Sequence, residues 1–314
     1  MKIWALSDGR AGNVAQAMAL AEAFGRRQSV EITAHDIMLS PWAAALPAPV
    51  LHGLGLGARG VSPALRPPWP DLVISAGRRS APLAAWLRRT VGIPVVQILD
   101  PKLPAGMFSA LVRPRHDGRE GAEVIATTGS LSRLTPQAIE EAGSAWSPPE
   151  TVLQPYVAVL LGGPSKSAGF DEGGLRAALA GLTKTYGLVV TPSRRTPEHL
   201  SAAIRADLGV RGYVWDGTGA NPYPALLHCA RAVLVTADSV NMTSEAASTG
   251  KPIHVLGLDT VSGKIARFHQ GLIADWITRP FNGQIEHWSY APLAEADRVA
   301  GMLERQLGLG QTGG

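Results

Sequence analysis

The sequence predicts an α/β protein made of two doubly wound domains in tandem. Three observations carry this. The 314 residues are about two domains' worth at roughly 150 residues each. Short apolar runs alternate with segments of helical period, the pattern of a mostly parallel sheet covered on both faces. The alternation breaks once, at residues 144–155, where Pro148, Pro149 and Pro155 mark a linker, and then starts again. The expected domains are 1–150 and 151–314, with a cleft between them and a final helix that returns to the first.

In the first half, residues 2–7 read as a short strand and residues 8–12 as a tight loop. Asn13 is expected to cap a helix running to about Arg26, with Val14, Ala17, Met18 and Ala21 at helical spacing. Further strands are expected at 30–35, 71–75, 93–99, 110–113 and 123–127. Residues 41–70 are too rich in Pro and Gly for a regular helix. Trp42, Leu46, Val50, Leu51, Leu54 and Leu56 there form either an apolar surface for a membrane or lipid, or a connection that covers the core.

In the second half, strands are expected at 156–161, 188–191, 212–215, 232–236 and 253–256. Helices are expected at 171–186, 197–208, 222–229, 239–249 and 293–307. Gly250 follows the fourth of these helices as its terminator.

Composition narrows the function. Charged residues are 17% and the net charge is +4. Residues 1–150 hold 15 Lys/Arg against 12 Asp/Glu, and the remainder 14 against 13. This is too even for a nucleic-acid surface, which would be clustered and strongly basic. The single cysteine, Cys229, excludes an intramolecular disulfide and a Cys-based zinc site, and is expected to be buried. The N-terminal apolar run ends in Asp8 and is not a signal peptide. No uninterrupted stretch of about 18 apolar residues occurs. A cytoplasmic protein is expected, with peripheral contact to the inner membrane left open.

Two motif matches fail on context. The G-x-G-x-x-G at 55–60 has no strand before it, no helix after it and no acid about 20 residues on. Lys166-Ser167 lacks P-loop spacing. No metal motif and no serine-triad motif is present, so no metal and no cofactor are expected.

Ligands of doubly wound sheets bind beyond the carboxyl ends of the strands, which selects the loops to read. After the strand at 156–161 come Gly162, Gly163, Pro164, Ser165 and Lys166, whose backbone N–H groups and lysine suit an anion. After the next strand come Ser193, Arg194 and Arg195, a pair of guanidinium groups suited to diphosphate. After the strand at 232–236 come Asp238 and Ser239, either of which can cap the following helix. Met242 and Glu245 lie on that helix, with Glu245 able to hold the paired hydroxyls of a ribose. Each feature also has a plain structural reading as a turn glycine, a surface arginine or a helix glutamate.

In the first half, Asp8 occupies the first strand-to-helix turn with Arg10 and Asn13. A carboxylate there can act as general base on a hydroxyl or can simply bond its own turn. Arg78, Arg79, Asp100 and Lys102 end two further strands on the same edge, and with Arg10 and Asn13 they are expected on the acceptor side of the site.

Together, SDGRAGN at 7–13, GGPSK at 162–166, TPSRRTP at 191–197 and TADSVNMTSEAASTGKPI at 236–253 resemble a known family. It is the bacterial branch of the family named after a plant mitochondrial-fission (elongated mitochondria, ELM) protein, whose bacterial members often carry a nucleoside-diphosphate-sugar epimerase label. The second half also resembles the donor domain of GT-B-type, metal-independent glycosyltransferases. That likeness implies two Rossmann-like domains, a nucleotide diphosphate sugar as partner, Glu245 on ribose, and Gly162, Gly163 and Ser239 on phosphates. The chain departs from the peptidoglycan and heptose transferases in two places. It has no histidine between Asp238 and Glu245, and no glycine-rich first loop ending in histidine. The expected function is transfer of a sugar to a hydroxyl acceptor, lipid-linked as one option. Epimerisation on the same fold and a non-catalytic scaffold at a membrane surface are the alternatives.

Overall fold

A computed structural model describes residues 1–53, 59–62, 64–118, 121, 123–164, 168–219 and 221–309. The chain forms two compact units, Met1–Arg133 with Glu295–Gly314, and Leu134–Ala294.

The first unit is built on six parallel strands: β1 (Lys2–Ser7), β2 (Glu31–Asp36), β5 (Leu72–Ala76), β6 (Val95–Ile98), β7 (Ala110–Pro114) and β8 (Val124–Thr127). They lie in the order β2-β1-β5-β6-β7-β8. The sequences of β5, β6 and β7 are buried at every position, as strands covered on both faces require. β2, on the edge, carries Glu31, Thr33, His35 and Asp36 and is largely exposed. Helix α1 (Ala11–Gly25) lays Ala17, Leu20, Ala21 and Phe24 on this sheet.

The region of residues 41–70 is partly ordered into regular elements. A two-stranded antiparallel pair, β3 (Met38–Leu39) and β4 (Val61–Ser62), brackets two short helices, α2 (Pro41–Ala45) and α3 (Ala48–Gly53). Both sequence readings of this stretch find residues to match. Ala43 and Leu51 are buried in it, whereas Trp42, Leu46 and Val50 are exposed. Leu54 and Leu56 lie outside the described residues. Helix α4 (Ala81–Trp86) follows β5.

The second unit begins with α5 (Pro136–Gly143) and contains β9 (Tyr156–Leu161), α6 (Glu172–Leu182), β10 (Gly187–Pro192), α7 (Glu198–Leu208), β11 (Gly212–Val214), α8 (Tyr223–Cys229), β12 (Ala232–Thr236), α9 (Val240–Ala246), β13 (Ile253–Leu256), α10 (Gly263–Ala274) and β14 (Thr278–Pro280). Its six strands are again parallel, in the order β11-β10-β9-β12-β13-β14. β9 reads YVAVLL, is buried throughout and sits near the centre.

The units divide between 133 and 134, ahead of the proline-rich stretch at 144–155. Residues 134–150 go with the second unit because α5 packs on α8, where a Cβ on Gly143 would stand 2.2 Å from the His228 ring. Helix α11 (Glu295–Leu307) belongs to the first unit. Val299, Ala300 and Leu303 share the core of α1, Arg26 pairs with Asp297 at 2.7 Å and Arg27 with Glu304 at 2.6 Å, and the Glu295 carboxylate accepts from the Thr128 N–H at 2.8 Å.

Two local expectations are corrected. α1 starts at Ala11 with Arg10 at its N-cap position; Asn13 lies inside the helix, whose hydrogen-bond ladder already begins with the Arg10 carbonyl accepting from the Val14 N–H at 2.9 Å. Cys229 is exposed: α8 turns Ala225, Leu226 and Leu227 inward and leaves its last residue on the outside. Among the described residues no helix is long and apolar enough to cross a membrane.

Candidate functional site

Because every strand of the second sheet runs the same way, the segments that follow β9, β10 and β12 emerge on one edge. Strand order makes them neighbours, since β9 lies between β10 and β12. Hydrogen bonds then join them around one buried carboxylate. The Asp238 side chain is 1% exposed. It accepts from the Gly163 N–H at 3.1 Å, from Thr236 Oγ1 at 2.7 Å and from Arg195 Nη2 at 2.6 Å. The other Arg195 nitrogen, Nη1, donates to the Gly163 carbonyl at 3.0 Å. The Gly162 N–H donates to Thr236 Oγ1 at 2.8 Å, and the Ser193 N–H to Thr196 Oγ1 at 2.9 Å.

This close approach explains the glycines. A Cβ on Gly162 would stand 2.0 Å from Asp238 Oδ2, and one on Gly163 would stand 2.2 Å from the Arg195 carbonyl oxygen. Loops that must admit each other this tightly need glycine whatever else they bind. The two adjacent arginines therefore differ in role. Arg195 is turned onto Asp238, while Arg194 is exposed and makes no hydrogen bond or ion pair among the described residues. Ser165 and Lys166 lie outside the described residues.

Ser239, rather than Asp238, caps α9: its Oγ accepts from the Met242 N–H at 3.3 Å. The helix tightens into a 3-10 turn over Ala247–Thr249 and stops at Gly250, whose φ of 69° is left-handed. Glu245, half-buried on α9, accepts a 2.9 Å hydrogen bond from the Tyr223 hydroxyl. Burial pushes the Glu245 carboxyl above the ordinary glutamate value, and the hydrogen bond from Tyr223 opposes that only in part. Burial and the Glu245 charge push the Tyr223 phenol well up. Tyr223 was not legible as a site residue; its signal is its place at the start of α8, where Asn221 Oδ1 accepts from its N–H at 3.0 Å.

His269 is a second residue the sequence reading passed over. It is 1% exposed on α10, and its Nε2–H donates to the Ala237 carbonyl at 2.7 Å, fixing the turn that carries Asp238. Burial holds its pKa below the ordinary histidine value. Beyond β12 and β13 lies a cavity of about 140 Å³ bounded by Phe170, Asp171, Thr236, Asp238, Gly257 and Thr260.

In the first unit the residues that follow β1, β5 and β6, three neighbouring strands, also meet. The Asp8 side chain is 4% exposed and lies 3.5 Å from Arg10 Nε. It accepts from Asn13 Nδ2 at 2.7 Å. Asn13 reaches the next loop, where a Cβ on Gly77 (φ 91°) would stand 2.4 Å from Nδ2. Gln97, buried in β6, donates to the Gly77 carbonyl at 3.0 Å. Asp100 is held by Lys102 Nζ at 2.8 Å and by Arg113 Nη2 at 3.5 Å. Burial opposes ionisation of Asp100, but the Lys102 hydrogen bonds and the Arg113 charge hold its carboxyl below the ordinary value. Arg113, 2% exposed inside β7, was also not anticipated; a charge within an apolar strand is its only signal. Arg78 and Arg79 are exposed.

These geometries can be set beside known proteins. A family model described as mitochondrial fission ELM1 matches residues 11–307. The chain belongs to the mitochondrial fission ELM1 family. The mitochondrial fission protein ELM1 of Arabidopsis thaliana is 33% identical over 273 residues, which are 76% of this chain and 64% of the plant protein. The chain thus aligns with just under two thirds of that relative. A solved structure of a putative UDP-N-acetylglucosamine 2-epimerase from Listeria monocytogenes matches with a TM-score of 0.58 and 14% identity, covering 98% of this chain and 96% of that one. The glycotransferase of kitacinnamycin matches with a TM-score of 0.55 and 15% identity, covering 98% and 99%. At these identities the likeness is one of fold: two Rossmann-type domains, GT-B-like. Within this member of the ELM1 family, Gly162 and Gly163 of GGPSK, with TPSRRTP and TADSVNMTSEAASTGKPI, supply the hydrogen-bonded loops around Asp238.

Proposed function

We propose that the second unit binds a nucleotide diphosphate sugar and that the chain is a glycosyltransferase-like enzyme acting on a hydroxyl acceptor. The observation that carries this reading is the joining of three strand-end loops by the Asp238–Arg195–Gly163 network, with Arg194 left exposed beside it. Such a frame fixes the three loops before a ligand arrives, and so sets Arg194 and the start of α9 at one strand edge, where a departing diphosphate would need preorganised donors. In this reading Arg194 pairs with the diphosphate, Ser193 and Ser239 lie along it, and the half-buried Glu245 carboxylate accepts from the ribose hydroxyls. Asp8 of the first unit is the proposed general base. It takes the proton of the acceptor hydroxyl as the acceptor oxygen bonds to the sugar carbon, and the diphosphate leaves with the bonding electrons.

Two observations support rival readings. The Listeria structure is named as an epimerase, which favours isomerisation of the same donor; the plant relative is named for fission, which favours a scaffold without turnover. A thermal-shift panel of nucleotide diphosphate sugars, followed by product analysis on each hit, separates the three. Stabilisation with transfer supports the proposal, and stabilisation with an isomerised sugar supports the epimerase. No stabilisation across the panel overturns both in favour of the scaffold.

A further inference from the structure

The first unit carries a cavity that the reading above leaves unused. It measures about 340 Å³, within the roughly 300–1,000 Å³ of small-molecule sites. Its walls are apolar, with Leu39, Leu46, Pro47, Leu51 and Pro82 among them; its charged lining is Arg78, Arg79 and Lys102, and no carboxylate lines it among the described residues. Topology builds this combination. β5 and β6 are parallel neighbours, so the arginine pair after one and Lys102 after the other emerge side by side. The β3–β4 pair with α2 and α3 supplies the apolar wall.

Two of these cations are placed for an anion from outside: Arg78 and Arg79 make no ion pair or hydrogen bond among the described residues. Lys102 is already paired, its Nζ donating to Asp100 at 2.8 Å, so it adds to the wall but its charge is balanced within the protein. Just beside the cavity, Met38 is 68% exposed, Trp42 46%, Leu46 36% and Val50 41%. Among the described residues these are all the exposed large hydrophobics of the first unit, and they fall within thirteen positions of one another. Clustered exposed apolar groups mark an interaction surface. Apolar walls, two unpaired guanidinium groups and an apolar rim together suit an amphiphile with an anionic head.

We infer that this cavity binds a lipid phosphate, with the phosphate on Arg78 and Arg79, the first methylenes along Leu46, Pro47 and Leu51, and residues 38–50 seated in the bilayer interface. The inference does not rest on the nucleotide-sugar reading, and every assay is run without nucleotide, so each can fail alone.

The probes are decyl phosphate, inorganic phosphate, and vesicles of phosphatidylcholine with or without phosphatidic acid. Each buried methylene contributes about fourfold in affinity, so burial of four makes decyl phosphate about 200-fold tighter than inorganic phosphate. The protein should sediment with the phosphatidic acid vesicles and not with phosphatidylcholine alone. Each basic residue near an anionic surface is worth about fivefold, so R78A/R79A should weaken vesicle binding about 25-fold. Leu46→Asp should lower both decyl phosphate and vesicle binding. Both variants change exposed side chains, and an unchanged melting temperature shows that they fold. Equal affinity for decyl and inorganic phosphate overturns the inference. So does sedimentation that ignores phosphatidic acid, or vesicle binding that R78A/R79A leaves intact in a folded protein.

Discussion

Asp238→Ala tests whether one buried carboxylate holds the loops of the second unit together. The substitution strips a partner from three donors. The Gly163 N–H is buried and makes no other hydrogen bond among the described residues, so it bears a desolvation cost of about 1–3 kcal/mol. The Thr236 hydroxyl still accepts from Gly162 and loses about 1 kcal/mol. The Arg195 side chain is 42% exposed and regains water, so its loss is discounted to below about 1 kcal/mol. The total is roughly 2–5 kcal/mol, or about 4–20 °C in the melting of a unit of this size. Gly162→Ala gives a sharper test. Its Cβ would collide with the Asp238 carboxylate at 2.0 Å, an overpacking cost of about 1–3 kcal/mol. In the Asp238→Ala background the obstacle is gone, and most of that cost should vanish. The assay is thermal and urea unfolding of the two single variants and the double variant. Additivity within about 0.5 kcal/mol, or an Asp238→Ala variant no less stable than the parent, would refute the reasoning.

Three further outcomes are expected. Arg194→Ala should leave the melting temperature unchanged and weaken a nucleoside diphosphate more than the free nucleoside, as read by titration calorimetry; equal loss on both ligands removes Arg194 from the phosphate. Asp8→Asn should keep the fold while turnover falls by about 10²–10⁴-fold if Asp8 is the base; a drop in melting temperature with activity per folded molecule unchanged assigns it to the turn alone. Stability should also respond to pH from two sides. His269 and His254 have folded pKa values below the ordinary one because burial disfavours their charge. Their contribution is present above the unfolded value and is lost as pH falls below it, near 6.5. Glu245 is shifted up, so its contribution is present below the unfolded value and is lost as pH rises through the folded one. Melting curves against pH should show a fall in stability below about pH 6.5 that is reduced in His269→Asn. Glu245→Gln should flatten the decline that begins above the ordinary glutamate value.

What the sequence determined by itself was the order and kind of the elements. β9, with six apolar residues in a row between Pro155 and the Gly162–Gly163 pair, has the length and the flanking breakers of a strand buried on both faces, and the restart of the pattern after Pro148 and Pro149 marks a second sheet. It also placed Gly162, Arg194 and Asp238 at strand ends, because the rule that ligands gather there depends only on strand direction. It missed β14, three residues ending in a proline, and α10, whose Gly263 and Gly271 blur its period. The tertiary structure decided the partners. That Arg195 turns inward while its neighbour Arg194 stays free depends on Asp238, 43 residues away, being brought within 2.6 Å. That α11 joins the first unit depends on apolar contacts with α1 across more than 270 residues. Tyr223 on Glu245 and His269 on the Ala237 carbonyl are contacts of the same long-range kind. Local propensity fixes what a segment becomes, but which side chain meets which is set by strand order and packing, and those exist only once the sheet has formed.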